Sequence, residues 1–149
     1  MYISDFDESV EKIIEELNTK TSKPLVLYIN SMWGSMATSI VLANMIINGS
    51  RKVYTYNVGV CYSAAMILFL AWHQRYGYEW CSFMQHPTSV EWNMKYWEIK
   101  WQMKEFKYLE DKYKKIIESK CPSLLKYDFT KDVEYFGYEQ AKDLWIITN

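Results

Sequence analysis

The sequence predicts an α/β domain with largely parallel strands. Two observations carry this: β-rich runs alternate with helical patterns along the chain, and two of the helical stretches, SMATSIVLANMII and AAMILFLAW, are apolar enough to be buried. Residues 7–18 (DESVEKIIEELN) place Val10, Ile13, Ile14 and Leu17 at helical spacing, with acids in the first turn. Pro24 introduces LVLYIN, which reads as a short buried strand. Residues 35–47 follow as an apolar helix, with Ser35 as its cap and Asn48-Gly49 as its stop. KVYTYNV, 52–58, is a second strand that Gly59 breaks, and the apolar run after Ser63 suits two to three turns of buried helix. WCSFMQ, 80–85, is a third strand ending at His86-Pro87, and the polar HQRYGYE segment before it, with His73, is read as a loop.

From 91 to 120 the period changes. Trp92, Tyr96, Ile99, Met103, Phe106, Leu109, Tyr113 and Ile117 recur every three to four positions, with Glu91/Lys95 and Glu110/Lys114 at favourable spacing between them. A helix of this span is about 45 Å long at about 1.5 Å per residue. That exceeds what a domain of this size needs, so part of it is expected on another subunit; the same periodicity also suits a helix lying across its own sheet. Pro122 ends it, 138–143 (YEQAKD) forms a short helix, and LWIIT closes the chain as a strand. With no Gly/Ser/Pro-rich linker, residues 1–149 are expected to form one domain.

Composition narrows the function classes. Seventeen basic residues nearly balance eighteen acidic ones, which argues against nucleic-acid binding, and the eight lysines of 91–120 are offset by six acids. The longest apolar run, Ala64 to Trp72, falls far short of the roughly 20 residues a membrane span needs. The opening MYISDFDESV carries acids where a secretion signal would be basic. Cys61, Cys81 and Cys121 lack CxxC spacing, so they read as reduced thiols of a cytoplasmic protein, with no cofactor or metal indicated. Thirteen tyrosines, seven tryptophans and eight methionines must be buried or used at interfaces.

In α/β sheets, functional groups collect where strands end and helices begin. Ser63, His86 and the loop holding Asp128 and Asp132 occupy such positions. A serine hydroxyl needs an imidazole to take its proton, and the imidazole needs a carboxylate to fix its tautomer. The oxyanion formed on attack needs backbone donors, for which the amides of Ala64 and Gly34 are candidates. Each residue also has a structural reading: Ser63 as a helix cap, His86 as a surface histidine, Asp132 as a cap and Gly34 as a turn residue. VCYSA lacks the glycines of the G-x-S-x-G elbow, and the order Ser, His, Asp differs from that of α/β-hydrolases.

Four blocks in order, LYINSMWGS (27–35), GVCYSAAM (59–66), FMQHP (83–87) and KDVEYFGYEQA (131–141), resemble the proteolytic subunit of Clp protease, the ClpP-like S14 serine peptidases. The resemblance runs from about residue 7 to the end. It implies the ClpP/crotonase-like fold of repeated β-β-α units with a long handle-type helix at 91–120. It implies Ser63 as nucleophile, His86 as general base and Asp132 as orienting acid; Asp132 needs a one-residue gap, which keeps Asp128 as a second, weaker candidate. Gly34 and Ala64 would supply the oxyanion hole. The function implied is a serine endopeptidase that cleaves unfolded polypeptides within a homo-oligomeric chamber of heptameric, stacked rings, with a Clp-type ATPase as a partner.

Three departures support an alternative, a weak or inactive ring subunit acting as an interaction protein. Trp33 stands where the family has glycine, PTSVEWN replaces a Gly-rich segment after the histidine, and the axial N-terminal segment has no counterpart. A crotonase-type acyl-CoA enzyme would share the fold but leaves Ser63, His86 and Asp132 without a common purpose. A short divergent copy of this kind suits a virus or mobile element.

Overall fold

A computed structural model describes residues 1–4, 6–72, 74–88 and 95–149. Its strands are β1 (Tyr2–Ile3), β2 (Leu25–Ser31), β3 (Val53–Tyr62), β4 (Arg75–Gly77), β5 (Ser82–Gln85) and β6 (Glu134–Gly137). The helices are α1 (Phe6–Asn18), α2 (Met36–Asn48), α3 (Ala64–Leu70), α4 (Tyr96–Lys120) and α5 (Tyr138–Asp143), with a 3-10 turn at Pro122–Lys126. The strands form one sheet in the order β1-β2-β3-β5-β6, with β4 also pairing β3. All pairs are parallel except β5 with β6.

Alternation divides the sheet into two faces. Leu25, Leu27 and Ile29 of β2 and Val53 of β3 join the core that α2 and α3 cover. Thr55 and Asn57 share the buried face of β3 and are satisfied there: Thr55 Oγ1 donates to the Phe69 carbonyl (3.1 Å) and Asn57 Nδ2 to that of Ser82 (2.8 Å). The alternate positions carry tyrosines, with Tyr56 stacked on Tyr76 at 4.4 Å between ring centroids and 5.2 Å from Tyr28. Every side chain of α3 is buried, as its apolar composition requires. The predicted cap of α2 is present: Ser35 Oγ accepts from Thr38 N at 3.3 Å.

Several boundaries differ from expectation. Gly59 does not break the second strand. β3 runs through it to Tyr62, with a bulge: between the pairs Ile29↔Asn57 and Ser31↔Cys61, β2 advances two residues and β3 four. Asn30 Oδ1 accepts from Val60 N and Asn57 Oδ1 from Gly59 N, each at 3.1 Å, so two side chains take over the interrupted backbone pairing. A Cβ on Gly59 would lie 2.4 Å from Asn30 Oδ1, which is why glycine stands there. Before the bulge β3 pairs with β4, and after it with β5.

The polar segment around Arg75 is a strand rather than a loop. Arg75 is almost fully buried, and its guanidinium donates to the carbonyls of Trp72, Lys120, Trp145 and Ile146. Burial lowers its pKa to about 10, still charged at neutral pH. LWIIT does not form a strand: Trp145 has φ 59°, and the amides of Ile146 and Ile147 both donate to the Ala141 carbonyl, closing the end of α5. That segment spends its backbone on the cap and on Arg75, not on the sheet. β6, unexpected from sequence, occupies the edge instead.

The long helix is described from Tyr96; the expected residues 91–94, with Trp92 and Glu91, lie outside the described residues, as do His73 and most of PTSVEWN. Glu98 Oε2 accepts from Lys95 N (2.7 Å) at its start. Glu110 accepts from Thr88 Oγ1 (2.9 Å), tying the loop after His86 to α4 instead of pairing with Lys114. Only Tyr113, Ile116 and Ile117 of α4 are buried, whereas Trp97, Trp101 and Met103 are exposed. Among the described residues no helix is long and apolar enough to cross a membrane.

Candidate active site

Ser63 sits at the junction of β3 and α3 with φ 54° and ψ −125°. A non-glycine residue in such a conformation costs roughly 1–3 kcal/mol. Its side chain makes no capping hydrogen bond, so the reading of Ser63 as an ordinary cap fails. Backbone bonds hold the turn: Ser63 N donates to the Met84 carbonyl (2.8 Å), and Met66 N to the Ser63 carbonyl (3.0 Å). The carboxamide orientation of Gln85 that satisfies its neighbours puts its nitrogen 3.2 Å from the Ser63 carbonyl oxygen and 3.1 Å from that of Met84. At about 1 kcal/mol each, these bonds are of the size needed to offset the strain.

His86 follows β5 directly. Its Nδ1 lies 2.7 Å from the Pro87 carbonyl oxygen. A carbonyl can only accept, so Nδ1 carries the proton and Nε2 presents its lone pair. That Nε2 is buried without a hydrogen-bond partner. Among the described residues no hydrogen bond joins Ser63 to His86, or His86 to Asp128 or Asp132.

The two aspartates differ. Asp128 Oδ1 accepts from Thr130 N (3.2 Å) and Thr130 Oγ1 (2.5 Å), and Oδ2 pairs with Lys131 at 2.8 Å. The Lys131 ammonium and the Thr130 donors pull its pKa down to about 2. Both its oxygens are engaged in this turn. Asp132 is exposed and lies two residues before β6. The β5–β6 ladder ends at the pair Gln85↔Glu134, with His86 one residue beyond it on one strand and Asp132 two residues beyond it on the other.

Gly34 has φ 154°, a value that L side chains avoid, so the positive φ of the SMWG loop falls on glycine and Trp33 bears no such strain. Trp33 is 65% exposed. Ala64 opens α3, where its amide has no helical carbonyl to bond. A groove of about 810 Å³ runs between α4 and the 122–130 segment, lined by His86, Gln85, Met36, Phe106, Glu110 and Asp128 among others. Its size and mixed lining suit a bound ligand or peptide side chain. The three cysteines are free and buried, and burial pushes the Cys81 thiol up to about 11, so it is protonated at neutral pH. No group of three or more His, Cys, Asp or Glu suited to a metal occurs among the described residues.

Sequence reasoning missed Gln85. The signal available was an amide directly after the apolar pair Phe83-Met84 and before His86.

A family model of Clp protease matches residues 4–145. The chain belongs to the Clp protease family. Its fold is similar to that of a peptidase from Plasmodium falciparum, with TM-score 0.82 and 23% identity over 100% of this chain and 93% of that one. It is also similar to a ClpP1 mutant from Listeria monocytogenes, with TM-score 0.78 and 20% identity over 98% of this chain and 84% of that one. No curated protein matches the chain. The mixed α/β architecture expected from the sequence is thus the ClpP fold, and family membership supports a ClpP-like serine peptidase.

Proposed function

We propose that this member of the Clp protease family is a serine endopeptidase that cleaves unfolded polypeptides inside a ring chamber built from its own copies. Ser63 is the nucleophile, His86 the general base and Asp132 the orienting acid; the Gly34 and Ala64 amides receive the oxyanion. The observation that carries this reading is Ser63 itself, held at positive φ with its hydroxyl free of capping duty.

In the reaction, Ser63 Oγ adds to the scissile carbonyl while His86 Nε2 takes its proton. The carbonyl electron pair moves onto oxygen, which the two amides stabilise. Collapse expels the amine, which leaves with the proton from Nε2, and a water molecule then hydrolyses the acyl-serine by the same relay. The relay requires the imidazole to rotate from the Pro87 carbonyl toward Ser63 and Asp132. Asp132 is favoured over Asp128 because its carboxylate accepts no hydrogen bond within the described residues, whereas that of Asp128 is committed to Thr130 and Lys131. A Clp-type ATPase that feeds the chamber, one domain over 1–149 and a cytoplasmic setting belong to the same proposal.

The second reading, an inactive ring subunit, is favoured by one observation: His86 Nδ1 is engaged by Pro87 instead of a carboxylate. Hydrolysis of a fluorogenic unfolded polypeptide separates the two. Ser63→Ala and His86→Ala are each expected to lower kcat by roughly 10³-fold or more, and Asp132→Asn by a comparable factor, with Asp128→Asn near wild type. No hydrolysis by wild type, with mixed rings still forming with an active proteolytic subunit, would leave the second reading.

A further inference from the structure

We propose that Gln85 is a positioning residue that aims both the proposed nucleophile and its oxyanion donor. The proposal rests on the reading of Ser63 as nucleophile. Its geometry is independent of that reading.

The two soft dihedrals of a residue are the rotations that separate its N–H from its C=O. At Ser63 both groups are held by the end of β5. The N–H donates to the Met84 carbonyl at 2.8 Å. The C=O lies 3.2 Å from the Gln85 amide nitrogen, which also lies 3.1 Å from that same Met84 oxygen. Met84 O on the N–H, and Gln85 Nε2 beside Met66 N on the C=O, thus hold both ends of the Ser63 backbone and restrain its φ and ψ. Gln85 is 3% exposed, so water cannot substitute for its amide.

The second consequence follows from peptide planarity. The Ser63 C=O and the Ala64 N–H belong to one trans peptide unit and point in opposite directions. Holding the carbonyl toward Gln85 therefore sets the direction of the Ala64 amide, one of the two proposed oxyanion donors. Gln85 touches no reacting atom in this account; it acts through Ser63 and Ala64.

Two substitutions separate positioning from mere packing. Gln85→Met keeps the volume and removes the donor. Gln85→Glu keeps the shape, but an ionised carboxylate would face two carbonyl oxygens, whereas the protonated acid donates again. The readouts are the rate at which a fluorophosphonate probe labels the protein across pH, kcat and KM on a fluorogenic polypeptide, and the Ser63 φ in a crystal structure of Gln85→Met. Labelling and kcat of Gln85→Met are expected to fall roughly tenfold to a hundredfold with KM nearly unchanged. The rate of Gln85→Glu relative to wild type should rise as pH falls, a signature that lost packing would not produce. Ser63 in Gln85→Met should relax to negative φ. Wild-type labelling rates in both variants, with Ser63 still near φ 54°, would overturn the proposal. Should wild type itself resist labelling, the nucleophile reading falls and the crystal structure alone decides: a relaxed Ser63 upholds the lock, an unchanged one overturns it.

Discussion

Both dihedrals of Ser63 are held from β5, and β5 runs directly into His86, so one short strand supports the two groups proposed to exchange a proton. That economy has a cost at Ser63, where positive φ is retained in the absence of glycine. Glycine accepts this conformation freely, and alanine does not. Ser63→Gly should therefore be more stable than Ser63→Ala by about 1 kcal/mol in urea unfolding, although both lack the hydroxyl. Equal midpoints would mean that the turn is unstrained. Asp128 provides a separate check. Its carboxyl is held down to about 2 by Lys131 and Thr130, below the value it would take in the unfolded chain. Its contribution to folding is thus fully present above about pH 4 and is lost as pH falls toward about 2. An NMR titration should show that low midpoint in wild type and a higher one in Thr130→Ala. Ser63 and His86 stand out in the chain because a hydroxyl and an imidazole each follow a strand, whereas Asp128 and Asp132 lie between the 3-10 turn and β6. Gln85 was not, because its role lies in which carbonyls its buried amide meets.

The bulge in β3 decides which strands meet at the site. Before it β3 pairs with β4, and after it with β5, which brings Tyr62 opposite Met84 and so sets Ser63 beside the end of β5. Gly59→Ala would drive a Cβ to 2.4 Å from Asn30 Oδ1 and displace the acceptor of Val60 N. A loss of roughly 1–3 kcal/mol is expected, the size of one buried donor left unpaired, read from the shift in urea midpoint. An unchanged midpoint would show that Asn30 yields without loss. Helices and the first strand could be read from the chain because α1 and α4 carry their period openly and α2 is an apolar run between a cap and a stop. The ends of β3 and the fate of LWIIT could not. Glycine usually breaks a strand, yet Gly59 is retained by the Asn30 and Asn57 side chains. The apolar tail is captured by Arg75, a contact across 71 residues of sequence for Ile146 that no local pattern encodes.

For the molecule as a whole, α4 leaves Tyr96, Trp97, Trp101, Met103 and Tyr108 exposed, and only Tyr113, Ile116 and Ile117 toward its C-terminal end are buried. Exposed aromatics of this kind are stabilised by a partner surface, and the ring proposal supplies one in further copies of the chain. Trp97→Ala combined with Trp101→Ala should lower the native mass at micromolar concentration without lowering the melting temperature of the protomer. The same mass for both proteins would place the assembly surface elsewhere. Family membership and fold were legible from four short blocks in order, whereas assembly is not written in one protomer's contacts. The central claim, that Ser63 is a nucleophile activated by His86, is tested most directly by fluorophosphonate labelling with the modified residue located by mass spectrometry. The account expects one adduct, on Ser63, formed rapidly in wild type and suppressed in His86→Ala; an adduct that forms equally in both proteins, or none in wild type, would contradict it.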